Sequence, residues 1–291
     1  MSTFVQILLR SLESGSVYAL AALGIIVIYR TSNITNFAQG AVGMFNTYVV
    51  TFLVIQAGFP LWLAILGGVG TAILMGFTID YLVIRHTKKV SPVAKQIITL
   101  GLIMVILGLA PMFFGVDPLN LPRLIPEGSV NILGANLSYN GLFNIVFGFS
   151  LMFILFYILQ NTKVGLAVRT TASNEYTARL MGVPTKTVTL GAWALAAVLG
   201  LLAGVMIAPT TSVNLNLMDV VQVNALIACV FGGFQTFYGP ILGAYIIGVS
   251  RNMLLYYFDS VWGGQILYIL ILIFLIFRPY GLIGKKVVKN V

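Results

Sequence analysis

The chain is a succession of long apolar runs separated by short polar breaks. Nine runs stand out, at about residues 12–29, 40–57, 60–84, 93–115, 141–160, 187–208, 221–232, 239–258 and 263–279. A helix crossing the hydrocarbon layer needs about 20 apolar residues. The runs beginning near 40 and 221 are short or broken, which predicts half-helices or helices with unwound ends. The runs are continuous rather than alternating, so they predict spanning helices and not barrel strands.

Two longer polar stretches interrupt the pattern. The first, 116–140, holds Asp117, Arg123 and Glu127 with Pro118, Pro122 and Pro126. Its prolines predict an irregular loop or lid on the external side. The second, Asn161–Lys186, is the stretch around which the chain is organised. Ser173 is read as an N-cap whose hydroxyl accepts an orphan backbone N–H. Glu175 then occupies a first turn, where negative charge suits the helix dipole. Gly182 supplies a left-handed C′ residue, and Pro184 blocks continuation. Tyr176 and Leu180, four apart, share a face. These signals predict a helix of about two to three turns with one small apolar face. It either docks on a soluble partner or lies on the lipid surface.

Basic residues orient the pattern. Lys163, Arg169, Arg179 and Lys186 place 161–186 on the cytoplasmic side, where Lys and Arg accumulate. The same bias assigns to that side Arg85, Lys88, Lys89 and Lys95, the opening stretch, and the tail with Arg278, Lys285, Lys286 and Lys289. Nine spans put the N-terminus outside. A cytoplasmic Met1–Arg10 instead requires eight spans and one re-entrant segment.

Composition removes whole classes of function. The chain of 291 residues is 59% hydrophobic and 8% charged, against about 25% charged for a soluble domain. It is one all-α polytopic membrane domain, 1–291, with no hydrophilic domain or linker. Sixteen Lys and Arg against seven Asp and Glu give a net charge of +9. The positive-inside bias accounts for that balance, and no aromatic-interleaved basic patch points to nucleic acid. The single Cys229 excludes an internal disulfide and a cysteine metal cluster, and reads as a small packed side chain. The first apolar run lacks a clear cleavage site and is expected to stay in the membrane.

The candidate chemistry is sparse. Thr31–Gly40, TSNITNFAQG, places Asn33, Asn36, Gln39 and Gly40 beside two spans. Irregular backbone persists in lipid only where protein buries it or where it lines water. This break is therefore either part of a substrate pathway or a connector whose amides cap helix ends. A second break, FGGFQTFYG at 231–239, reads as a turn at Gly232 and Gly233 before Pro240. Ala192, Ala196, Gly200, Gly204 and Ala208 recur every four residues. Such a stripe lets helices approach closely, within one tight bundle or between two copies. Asp117, Glu127, Glu175 and Asp219 read as loop residues, and Glu13, Asp80 and Asp259 lie near span ends, Asp80 within reach of Arg85. No phosphate-binding loop and no metal or catalytic set can be assembled, and no cofactor is expected. A chain that pumps without its own nucleotide site draws its energy from another subunit.

Several stretches together resemble the permease subunits of bacterial branched-chain amino acid ABC importers: Gly15–Leu20, Asn36–Gly40, Gly165–Val183, Phe231–Ala244 and Arg278–Gly284. They run in family order over nearly the whole length. Gln39 and Ala41 stand where the family often has His and Glu. The resemblance implies a multi-pass protein of the bacterial inner membrane. Its partners would be cytoplasmic ATP-binding subunits, a second and similar permease, a periplasmic substrate-binding protein and membrane lipid. It further implies that the loop around Arg169–Val183 contacts the ATPase, through Arg169, Asn174, Glu175, Leu180 and Gly182. A largely apolar path with a few amides suits an aliphatic, net-neutral zwitterion. The alternative is a permease or channel for urea or another small neutral solute.

Overall fold

The computed structural model describes residues 2–87, 90–132, 134–259 and 261–284. Lys88, Lys89, Lys285, Lys286 and Lys289, used above for orientation, lie outside the described residues. Each of the nine apolar runs forms a helix: α1 (Ser2–Ser32), α2 (Gln39–Ile55), α3 (Leu61–Thr78), α4 (Pro92–Phe114) and α5 (Tyr139–Asn161), and then α8 (Thr185–Ile207), α9 (Asp219–Gly232), α10 (Tyr238–Tyr257) and α11 (Gly263–Phe277). Two helices of the polar stretch, α6 (Lys163–Ser173) and α7 (Glu175–Leu180), stand between α5 and α8. A π turn, Ile79–Val83, and a 3-10 turn, Ile84–Thr87, extend α3. Among the described residues, five helices are long and apolar enough to cross a membrane, and α2, α9 and α11 are shorter.

Helix α1 is the axis of the bundle. It packs against α10, α8, α9 and α5, and its stretch from Val17 to Ile28 is buried almost throughout. The small-residue stripe of α8 faces inward, on α1 and α2. A Cβ built on Gly43 of α2 would stand 2.7 Å from the carbonyl oxygen of Gly200. The stripe thus serves packing within the chain and not a contact between two copies. Lipid gives apolar side chains no reason to leave it, so close backbone approach is what holds these helices. By contrast α4 is about as apolar all round and mostly exposed, with Met104 at 74% and Met112 at 79%. A helix of that kind faces lipid or another subunit.

The structure revises four expectations. The first helix begins at Ser2 and carries Arg10 and Glu13 within it, because nothing in 2–12 breaks a helix. The 116–140 stretch is not wholly irregular: β1 (Ser129–Ile132) and β2 (Ala135–Ser138) pair antiparallel. Their tight turn is set by Gly134 at φ +81° and by Asn131 Oδ1, which accepts its N–H at 3.0 Å. Asp219 lies in the first turn of α9 rather than in a loop. Finally, the opening stretch does not join the basic end. Gln6 Oε1 accepts from Asn136 N at 3.0 Å and Gln6 Nε2 donates to Asn136 O at 2.7 Å. The described part of the opening stretch, residues 2–10, therefore lies at the end of the bundle that carries the hairpin, opposite α6 and α7. One arginine is a weaker cue than the parity of nine runs.

Candidate functional site

The polar stretch builds a helix pair whose joints are each explained by sequence. Thr162 caps α6, its hydroxyl accepting from Gly165 N at 3.1 Å. Gly165, Val168 and Thr171 form the buried face of α6. Arg169 donates to Gln160 Oε1 and to Gln160 O, both at 3.1 Å, and pins α6 to the end of α5. Ser173 is not the N-cap of the next helix but the last residue of α6. Asn174 takes that role, its side chain accepting from Thr177 N at 3.0 Å. The backbone of Asn174 is extended, as an N-cap requires, whereas Ser173 is still helical.

Helix α7 is closed at its far end as its sequence predicts. Gly182 has φ +81°. Its N–H bonds Arg179 O and that of Val183 bonds Ala178 O, both at 3.0 Å. That pair of bonds is a Schellman closure. Glu175 and Arg179 form an ion pair along the helix, and Arg179 Nε donates to Thr185 Oγ1 at 2.8 Å, joining α7 to the first residue of α8. Ala178 is buried, while Tyr176, Leu180 and Met181 are each 72–73% exposed. The shared face of Tyr176 and Leu180 therefore points away from the bundle.

A charged cluster that no local sequence pattern brings together lies behind α7. Asp80, buried in the π turn of α3, accepts from Arg85 Nε at 2.9 Å. Arg85 Nη2 also reaches Lys186 O at 3.4 Å. Together with Lys95, Glu175, Arg179 and the end of α1 at Thr31 and Ser32, these residues line a cleft of about 80 Å³. Four basic and two acidic side chains meet there. The available signal was the polar content of 79–95 beside an apolar span. The sequence alone did not bring it next to Glu175.

The break at 31–40 rises from this end into the middle of the bundle. Asn36 Oδ1 accepts from Ala38 N at 3.0 Å, and Asn36 Nδ2 donates to Gln39 Oε1 at 3.3 Å. Gln39 Nε2 donates to Ala196 O at 2.6 Å. Gly40 N donates to Gln222 Oε1 at 2.6 Å, and Phe37 N to Thr99 Oγ1 at 3.3 Å. Asn36 and Gln39 are each 1% exposed. The structure thus gathers Asn36, Gln39 and Gly40 at a junction of α2, α4, α8 and α9. Asn33, with φ +52°, stays apart at the exposed end of α1. Ala196 and Ile103 are the middle residues of α8 and α4, so the junction lies at mid-depth. From it α2 runs toward the end carrying 116–140. Helix α9 runs toward α6 and α7, and beyond its end Phe234 packs on Tyr29 at 4.4 Å between ring centroids. The two short helices therefore run in opposite directions, and their first turns meet.

Comparison with known proteins agrees with this architecture. Residues 7–276 match the family described as "Branched-chain amino acid transport system / permease component". The chain is similar to the probable branched-chain amino acid transport permease protein LivH of Methanocaldococcus jannaschii, at 27% identity over 94% of this chain and 91% of that one. It is similar to the high-affinity branched-chain amino acid transport system permease protein BraD of Pseudomonas aeruginosa, at 24% identity over 99% and 98%. Among solved structures, PsaBC from Streptococcus pneumoniae in complex with Fab superposes with a TM-score of 0.52 at 14% identity, over 95% of this chain and 91% of that one. That likeness concerns the fold alone.

Proposed function

The chain belongs to the family of permease components of branched-chain amino acid transport systems, and we propose from that premise that it is the membrane subunit of an ABC importer for branched-chain amino acids. It is a multi-pass protein of the plasma membrane and drives transport with ATP hydrolysed in a separate subunit. The observation that carries the mechanism is α7: a short helix, capped at both ends, that is tied to α8 yet presents Tyr176, Leu180 and Met181 outward.

Lys163, Arg169, Arg179 and Lys186 put α6 and α7 on the cytoplasmic side. The β hairpin and the start of α1 then face outward, toward a periplasmic substrate-binding protein. The exposed face of α7 is the seat for a cytoplasmic ATP-binding subunit, and Asn174 and Gly182 hold that face in shape. When the ATPase pair closes, its push on α7 passes through Arg179 to Thr185 and through Arg85 to Lys186 at the foot of α8. Helix α8 lies directly on α1 and α2, so it carries the movement to mid-depth. The exposed apolar faces of α3, α4 and α5 meet lipid and a second permease subunit. Asn36, Gln39 and Gly40 brace the pathway wall at the junction. The chain itself performs no covalent step.

The test is co-purification. Leu180→Asp and Glu175→Arg, each at a solvent-facing position, should abolish recovery of co-expressed ATP-binding subunits while the permease remains in the membrane. Undiminished recovery with both variants would remove α7 from the coupling role.

A further inference from the structure

Resting on the importer reading, we propose that Asp219 is the group that recognises the ammonium end of the transported zwitterion. On this account the pathway runs along the open face of the α2–α9 junction, between this subunit and a facing one, and not through the interior of the chain. Asp219 is one turn before Gln222 on α9. Gln222 bonds Gly40 N at 2.6 Å, and Gly40 follows Gln39, which bonds the middle residue of α8. The cleft that Asp219 lines also contains Ile103 and Leu107, at the middle of α4. Two helices thus place this carboxylate near mid-depth independently.

Its environment there is unusual. Asp219 is exposed in the single chain, and it forms no ion pair among the described residues. A carboxylate facing hydrocarbon at that depth is expensive and is found almost only where a bundle interior, a water-filled cavity or a partner receives it. The face is therefore not lipid-facing. The cleft is about 60 Å³, too small to enclose a whole amino acid, so the facing permease must complete it. Its chemistry is divided in the way an aliphatic zwitterion needs. Asp219 supplies the anion, and Gln222 Nε2 is a buried donor without a partner. Phe37, Met44, Leu107 and Leu215 supply the apolar wall. The interior amides do not compete for this role, since Asn36 and Gln39 are buried and bonded to one another.

The assembled importer, reconstituted in liposomes with its ATP-binding subunits and binding protein, should lose at least about tenfold of its leucine uptake on Asp219→Asn, the loss of a charge-assisted contact. Asp219→Glu should restore most of it, and both variants should still recover the ATP-binding subunits. In a second experiment Asp219→Cys in the assembled complex should react with a charged, water-borne thiol reagent, while the buried Cys229 of the parent stays inert. Uptake by Asp219→Asn within about twofold of the parent, or an unreactive Asp219→Cys, would overturn the proposal. A parent complex that takes up no leucine would instead fail the importer reading, and the thiol experiment would still decide where the water-lined path runs.

Discussion

Gln39 on α2 donates its side-chain amide to the carbonyl of Ala196 at the middle of α8, at 2.6 Å. This contact fixes how deep the first polar break penetrates and where α2 begins. It also gives Asn36 an acceptor in Gln39 Oε1. Gln39→Leu should therefore strand a buried donor and cost about 1–3 kcal/mol, read as a lower thermal midpoint of the purified protein. Asn33→Ala, at the exposed end of α1, should leave that midpoint unchanged.

The approach of α2 to α8 makes a separate prediction. A side chain on Gly43 would press on the backbone of Gly200 at 2.7 Å, which neither helix can relieve without separating. Gly43→Val should sharply reduce the yield of folded protein. Gly191, on the same helix α8, has open space around its Cβ position. Gly191→Ala should be neutral or stabilising by up to about 1 kcal/mol. Fluorescence-detected size exclusion of the two variants distinguishes a steric requirement from a general intolerance of α8.

Correction of the cap at α7 is itself testable. Asn174→Ala should free Thr177 N and weaken α7 by about 1 kcal/mol. Hydrogen exchange at 175–180 should then be faster. Ser173→Ala should not change exchange there, because Ser173 ends α6. Gly182→Ala, at φ +81°, should add a strain of about 1 kcal/mol without touching any contact.

Much of this architecture was legible in the residues, for definite reasons. Apolar runs report helices because lipid forces every backbone group to bond within its own segment, and all nine runs became helices. Gly182 was readable because its left-handed geometry is local. Ser173 was misread because Ser and Asn are both good caps and only the path of the preceding helix decides between them. Asp219 was misread as a loop residue for a different reason. Depth is set by the Gly40–Gln222 contact, 182 positions apart in sequence, and by the Gln39–Ala196 contact, 157 apart, and no local pattern carries that. The hairpin at 129–138 was hidden by the three prolines before it.

The pair Asp80–Arg85 extends the same logic to the charged foot of the bundle. Asp80 is 1% exposed and Arg85 is partly open to solvent. Arg85→Gln should lower stability by about 1–3 kcal/mol, since it takes a cation from a buried carboxylate whose own burial is unchanged. It also removes the contact to Lys186 O. The stimulation of ATPase activity by substrate-loaded binding protein should fall more than basal ATPase activity does, measured in the same preparation.

Coupling to ATP distinguishes a permease subunit of this family from a passive route. The most direct measurement is leucine uptake into liposomes containing this chain, its partner permease and the ATP-binding subunits, with ATP inside and the binding protein outside. Accumulation against a gradient that stops when ATP is omitted, together with no flux through the chain alone, is the predicted result. Equilibration of solute through the chain alone, indifferent to ATP, would contradict it.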